Sequence, residues 1–261
     1  MVERPGSPFV MDKVPTGEFT LDYAAAGPVD AEVTLVSLPG SAGLEMSTAK
    51  DVLAREYRVI EINPPGWGGK DDLTREIDTE ELGGLLVDAA NQLVQGSYYL
   101  LGTSMGGMNA IQGAAAHLDR VRGLILEASM APTGPDDLRV SPPANVDAPE
   151  PAAMPMPPVD PRKPWADEDF LREQMTNRFK MFRWVKLEFL PEAALAAVHQ
   201  AETPVLALLG DADEILKPTQ QETFSKYLSH GVFQLVPGGG HDLQNTAPEE
   251  FVRLVKDFVE A

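Results

Sequence analysis

Tyr98-Tyr99-Leu100-Leu101-Gly102-Thr103-Ser104-Met105-Gly106-Gly107 decides how the rest of this chain is read. It opens as an apolar run of strand type, and the Met108-Asn109-Ala110-Ile111 that follows suits a helix. Between the two stands Gly-x-Ser-x-Gly. A serine on a sharp strand-to-helix turn is held in a strained backbone conformation with its hydroxyl pushed into the open. Gly102 and Gly106 allow the turn, because a side chain there would collide with the neighbouring strand or helix. A bare Gly-x-Ser-x-Gly favours a Gly-rich turn with a solvent-facing serine. The strand before and the helix after make Ser104 a candidate nucleophile instead.

Working outward, apolar runs and helical patterns alternate. Phe19–Tyr23 reads as an edge strand, Val33–Leu38 as a buried strand, and Glu45 to Arg55 as a helix. Tyr57–Ile62 reads as a strand that stops at Asn63-Pro64-Pro65-Gly66-Trp67-Gly68-Gly69, where the prolines forbid ladder donors. From Asp78 to Val94, residues Leu82, Leu85, Leu86, Ala89 and Leu93 recur at helical spacing. Beyond the serine helix, Val121–Leu126, Pro204–Leu209 and Val232–Val236 read as strands, and Pro218 to Leu228 as a helix. Thr246 with Glu249 three residues later suits the N-cap of a last helix. The pattern predicts an α/β fold with a mostly parallel central sheet and helices on both faces. Chemistry in such sheets sits at the carboxyl ends of the strands.

The alternation breaks once. Eleven prolines lie between Met130 and Pro164, a density through which neither helix nor sheet runs. Asp167 to Phe189 then reads as helical, with Phe170, Leu171, Met175, Phe179, Phe182 and Val185 on or near one face. The expected organisation is a core of residues 1–129 and 191–261, with a Pro-rich cap or lid, 130–190, over the sheet's active edge.

Composition bounds the function. The 261 residues suit one α/β domain with an insertion. A net charge of -19, from 40 acidic and 21 basic residues, repels nucleic acid and anionic membranes at long range. No apolar run approaches the ~20 residues of a membrane span, and Met1 to Pro8 lacks a signal pattern, so the expected location is cytoplasmic. The absence of cysteine excludes disulfides, thiolate catalysis and cysteine-held metal. No His-x-x-x-His pattern or phosphate-binding glycine loop occurs, and Gly238-Gly239-Gly240 opens no dinucleotide-type helix. No metal or cofactor is expected, and the partner is a small-molecule substrate. The oligomeric state stays open, a homodimer included.

Three strand-end loops carry suitable side chains in the order Ser104, Asp213, His241. A serine hydroxyl is a poor nucleophile unless a base takes its proton as it attacks. Histidine suits that task near neutral pH, and a buried carboxylate orients the imidazole and stabilises its charged form. His117, His199 and His230 lack a glycine-rich strand-end loop, whereas His241 has one.

These segments together resemble the α/β-hydrolase superfamily, whose chain order is nucleophile, acid, histidine. The resemblance rests on Leu38-Pro39-Gly40-Ser41, Asn63 to Gly68, Gly102 to Gly107, Gly210-Asp211-Ala212-Asp213 and Gly239-Gly240-His241. It covers the chain outside the Pro-rich insertion and implies a serine hydrolase with a Ser104-Asp213-His241 triad. A Gly-x-x-Asp pattern ranks Asp213 first as the acid, with Asp211 and then Glu127 as alternatives. Resemblance further implies an oxyanion hole from the backbone N–H groups of Ser41 and Met105. Family members commonly carry His-Gly before the first of these; here the pair is Pro39-Gly40. Asp242 reads as an exposed helix-side carboxylate and Trp67 as a packing residue. For the substrate pocket the candidates are Gly40, Trp165, Met175, Phe179 and Phe182. Met130, Met154, Met156, Met181 and Trp184 add apolar, adaptable surface. The expected activity is hydrolysis of a small-to-medium, apolar ester through an acyl-enzyme. The alternatives are other chemistry of that scaffold (a carbon-carbon bond hydrolase, thioesterase, lyase or cofactor-free oxygenase) or a ligand receptor.

Overall fold

The computed structural model describes residues 4–68, 70, 73–139 and 159–261. Met154, Met156 and the prolines from 142 to 158 lie outside them, as does Gly69. The strands are β1 (Val10–Thr16), β2 (Phe19–Ala26), β3 (Thr34–Leu38), β4 (Arg58–Ile62), β5 (Ile77–Asp78), β6 (Tyr98–Thr103), β7 (Val121–Glu127), β8 (Val185–Lys186), β9 (Val205–Gly210) and β10 (Val232–Val236). Eight of them form one sheet in the order β1-β2-β4-β3-β6-β7-β9-β10. The β1–β2 and β2–β4 pairs are antiparallel and the remaining pairs parallel. Two-residue β5 and β8 pair separately, away from the main sheet.

The helices are α1 (Thr48–Leu53), α2 (Thr79–Leu93), α3 (Met105–Ala116), α4 (Glu168–Trp184), α5 (Glu192–Gln200), α6 (Gln220–Tyr227), α7 (Leu243–Thr246) and α8 (Pro248–Val259). They cover both faces of the sheet. Tyr98 and Leu100 of β6 join one core with Leu82, Leu86 and Ile111, while Tyr99 and Leu101 join the other with Leu53, Phe251 and Val255. Alternate side chains of one strand thus feed two cores, as a parallel sheet covered on both sides requires. Among the described residues no helix is long and apolar enough to cross a membrane.

The structure corrects four local expectations. Phe19–Tyr23 is not at the edge: β1 lies outside it, a strand hidden from sequence patterning because Val10 and Met11 are exposed. The helix expected from Glu45 to Arg55 is only α1, started by Ser47, whose hydroxyl accepts the Lys50 N–H at 3.1 Å. The helix expected to reach Phe189 stops at Trp184, where β8 pairs with β5. Thr246 does not cap α8; it ends α7, where its hydroxyl donates to the Asp242 carbonyl and accepts the Gly240 N–H. Asp78 does cap α2, accepting the Glu81 N–H at 2.8 Å.

Two backbone contacts bring the strand-end loops together. A Cβ on Gly106 would lie 2.0 Å from the Leu38 carbonyl oxygen, and one on Gly210 would lie 2.0 Å from the Gly239 carbonyl oxygen. Neither neighbour is a side chain that could swing aside. Gly210→Ala is therefore expected to cost about 3 kcal/mol of stability, because a packed backbone has to move. Gly84→Ala serves as its opposite: it sits within α2 with nothing within 4 Å of an added Cβ, and it should gain about 0.5–1 kcal/mol. Urea unfolding of both variants checks the pair.

Candidate active site

Ser104 stands between β6 and α3 with φ 53° and ψ -114°. This left-handed φ is uncommon for a residue with a side chain and is held from several directions. The Ser104 N–H donates to the Glu127 carbonyl at 2.9 Å, and the Ser104 carbonyl accepts the N–H groups of Gly107 and Met130, each at 3.0 Å. Ser104 occupies the N-cap position of α3 but makes no capping bond with its side chain. Its Oγ lies instead 3.0 Å from His241 Nε2.

His241 follows β10 in the loop that meets Gly210. Its Nδ1 lies 2.9 Å from Asp213 Oδ2, with the Asp213 side chain fully buried. The other Asp213 oxygen accepts the N–H groups of Ile215 at 2.7 Å and Leu216 at 2.8 Å. A carboxylate so fixed leaves one oxygen to face the imidazole. Ser104, His241 and Asp213 are thereby joined in one hydrogen-bonded line. Asp211 is elsewhere: it is exposed and accepts the Gly238 N–H at 2.7 Å.

Glu127, the third candidate acid, ends β7 with no exposure. It accepts the Thr103 hydroxyl at 2.5 Å and the Gln244 backbone N–H at 3.0 Å, and it bonds the Gln244 side-chain amide. It links the residue before Ser104 to the helix after His241 and makes no bond to His241. Burial, reinforced by the Asp242 charge, pushes its carboxyl up to about 7 against those three donors.

Ser104 faces a cavity of about 470 Å³. Ser41 and Met105 both line it. Among the described residues neither backbone N–H meets an acceptor. Gly40, Met175 and Phe182 also line it, with Met130 and Met181. Trp165 and Phe179 do not. Trp165 packs edge-on against Phe170 at 5.2 Å between ring centroids. Helix α4 is also rotated from the expected orientation. It buries Phe170, Gln174, Asn177 and Met181, and turns Leu171, Met175 and Phe182 over the cavity.

Part of the cavity wall is charged. Lys163 pairs with both Glu45 and Asp242. Asp242 is therefore no free helix-side carboxylate; it ties the His241 loop to the segment ahead of α4. Burial pushes the Glu45 carboxyl up, and the Asp242 charge adds to that shift. Burial alone would pull the Lys163 ammonium down, but the charges of Asp242 and Glu45 hold it above its ordinary range. Lys50 pairs with the fully buried Glu61. Glu45, Lys163, Gln174, Asn177 and Gln244 were not foreseen. The signal available for the α4 pair was a set of polar residues, Gln174, Asn177 and Lys180, at helical spacing beside the apolar positions.

Glu127 carries a prediction. Between its ordinary value near 4.5 and its folded value of about 7, the folded state keeps a proton that the unfolded chain has released. Stability must then fall as pH rises through that window, and Glu45 acts in the same direction. The melting temperature is expected to drop between about pH 5 and pH 7.5. Glu127→Gln, of the same shape but unable to titrate, should flatten part of that drop.

The chain matches a family model described as the alpha/beta hydrolase family over residues 24–254. A curated relative, the 2-hydroxy-6-oxononadienedioate/2-hydroxy-6-oxononatrienedioate hydrolase of Cupriavidus pinatubonensis, is 30% identical over 131 residues. That stretch is 48% of this chain and 45% of the relative, so the match spans about half of each. Among solved structures, a serine hydrolase involved in carbazole degradation (the CarC enzyme) superposes with a TM-score of 0.72 at 16% identity, covering 97% of this chain and 99% of its own. Carboxylesterase CesB from Bacillus subtilis gives 0.67 at 16% identity, covering 96% and 91%. At those identities the likeness is one of fold. With the family model matched over most of its length, the chain belongs to the alpha/beta hydrolase family.

Proposed function

We propose that the protein is a serine hydrolase that cleaves a small-to-medium, largely apolar ester through an acyl-enzyme. The observation that carries this reading is the line Asp213 Oδ2, His241 Nδ1, His241 Nε2, Ser104 Oγ, with separations of 2.9 and 3.0 Å at its two hydrogen bonds. Ser104 attacks the ester carbonyl while His241 takes its proton. Asp213 stabilises the imidazolium, and the N–H groups of Ser41 and Met105 hold the developing oxyanion. His241 then returns the proton to the leaving alcohol. Water, activated by the same imidazole, releases the acid and restores Ser104. Residues 130–190 act as a cap: Met175 and Phe182 over the cavity supply the apolar surface that selects the acyl or alcohol group.

A second reading keeps these residues and changes the bond. The relative from Cupriavidus pinatubonensis is named for a substrate with a ketone, a hydroxyl and two carboxylates. No ester or amide occurs in such a compound, so its hydrolysis breaks a carbon-carbon bond. The charged wall formed by Lys163, Glu45 and Asp242 favours a more polar substrate than a simple alkyl ester.

A chain-length series of p-nitrophenyl esters tests the first reading. Ser104→Ala and His241→Ala should each lower kcat/KM by at least about 10³-fold, and Asp213→Ala by a comparable factor. Asp211→Ala should stay within about twofold, since surface changes away from the site act weakly. A fluorophosphonate probe should label the native protein and not Ser104→Ala. Equal labelling of both would overturn the nucleophile assignment. Absence of ester turnover, with a vinylogous 1,5-diketone cleaved in a Ser104-dependent way, would select the carbon-carbon reading.

A further inference from the structure

The loop Gly40 to Glu45 has no regular secondary structure, yets its peptide groups are pinned nearly one by one. The Gly40 carbonyl accepts the Gly43 N–H at 3.1 Å. Because the Gly40–Ser41 peptide is planar and trans, its N–H on Ser41 points the opposite way from that carbonyl. The Ser41 carbonyl accepts the Trp67 indole N–H at 2.9 Å. The Leu44 N–H donates to Asn63 Oδ1 at 3.1 Å, and the Glu45 N–H donates to Glu61 Oε1 at 3.3 Å. These anchors all belong to the core. The remaining one does not: the Ala42 carbonyl accepts Asn177 Nδ2, from α4 of the insertion, at 2.7 Å.

The anchors converge on one point. A Cβ on Gly43, whose φ is +82°, would lie 2.8 Å from Asn177 Nδ2, 2.9 Å from Asn63 Oδ1 and 2.9 Å from Trp67 Cδ1. Asn177 is 3% exposed, so no water stands ready to replace its donor. A side-chain amide buried in this way is left unpaired if the contact opens. The neighbouring contact from α4 differs in kind. Gln174 bonds the Glu45 side chain at 2.8 Å, not the loop backbone.

We propose that Asn177 is a positioning residue that holds the Ser41 N–H in the orientation the oxyanion requires, so that docking of α4 completes the oxyanion hole. The proposal rests on the reading of Ser41 as an oxyanion donor. The insertion would then govern the chemical step as well as substrate choice. If Asn177 only docks the insertion, its loss would change KM or stability and leave the chemical step alone.

The test compares Asn177→Ala, Asn177→Asp and Glu173→Ala with the native protein. Each is assayed for kcat and KM on a p-nitrophenyl ester and for inhibition by a trifluoromethyl ketone, whose hemiketal oxyanion occupies the hole. Both Asn177 variants should lose about 10- to 100-fold in kcat, the scale of a small misplacement at a reacting centre, with KM within about threefold. Ketone affinity should fall by a similar factor. Glu173→Ala, at an exposed position of α4, should retain kcat within about twofold, since surface changes away from the site act weakly. Asn177→Asp keeps the volume of asparagine and carries the test should Asn177→Ala fail to fold. Native kcat and native ketone affinity in both Asn177 variants, or a change confined to KM, overturns the proposal. A native protein that the ketone does not inhibit refutes the oxyanion reading itself, a result separable from the first.

Discussion

Where the first turn of α3 crosses the end of β3, backbone meets backbone. A Cβ on Gly106 would lie 2.0 Å from the Leu38 carbonyl, and on Gly102 it would lie 2.5 Å from the Gly106 carbonyl. With no side chain between them, the strand turns into the helix within a single residue, and that residue is Ser104. Its φ of 53° is sustained by bonds with Glu127, Gly107 and Met130 rather than by its own preference. The hydroxyl would ordinarily cap the helix; at this φ and ψ it is aimed at His241 instead. A second close contact, Gly210 against the Gly239 carbonyl, sets the Asp213 and His241 loops side by side. The geometry of the line from Ser104 to Asp213 is thus inherited from two glycine contacts in the backbone.

Around that line lies a cluster of buried and half-buried charge. Lys163 joins Glu45 to Asp242, Lys50 neutralises Glu61, and Glu127 sits among three donors. Breaking a buried pair by removing one member leaves an uncompensated charge, which is far costlier than the pair is worth. Such contacts therefore define a geometry more than they add stability. Lys163 is the clearest case: one ammonium ahead of α4 connects to both the loop after β3 and the loop bearing His241.

The sequence was legible where one element carried the whole message. Ser104 and Asp213 follow buried apolar strands and His241 follows a mostly apolar edge strand, and glycine marks each turn, so local pattern located them without knowledge of neighbours. Edge strand β1 was not legible, because an exposed edge has no apolar face to reveal it. The orientation of α4 was misread for a related reason. Phe179 belongs to the apolar stripe yet stays off the cavity, while the buried face carries Gln174 and Asn177. Those polar groups are buried because loop carbonyls and the Glu45 carboxylate receive them, and no periodicity within α4 records what the loop opposite will offer.

The sequence by itself determined the α/β architecture, the strand-to-helix turn at Ser104 and the order of the three strand-end residues, because glycine stereochemistry and alternating apolar runs act over a few residues. The tertiary structure alone decided which carboxylate meets His241. It separated Asp213, 2.9 Å from the imidazole, from Asp211 two residues away. It also brought Asn177 to the Ala42 carbonyl, 135 positions distant in the chain. Hydrogen bonds depend on direction and on fractions of an ångström, and those quantities exist only once the strands, loops and insertion have packed together.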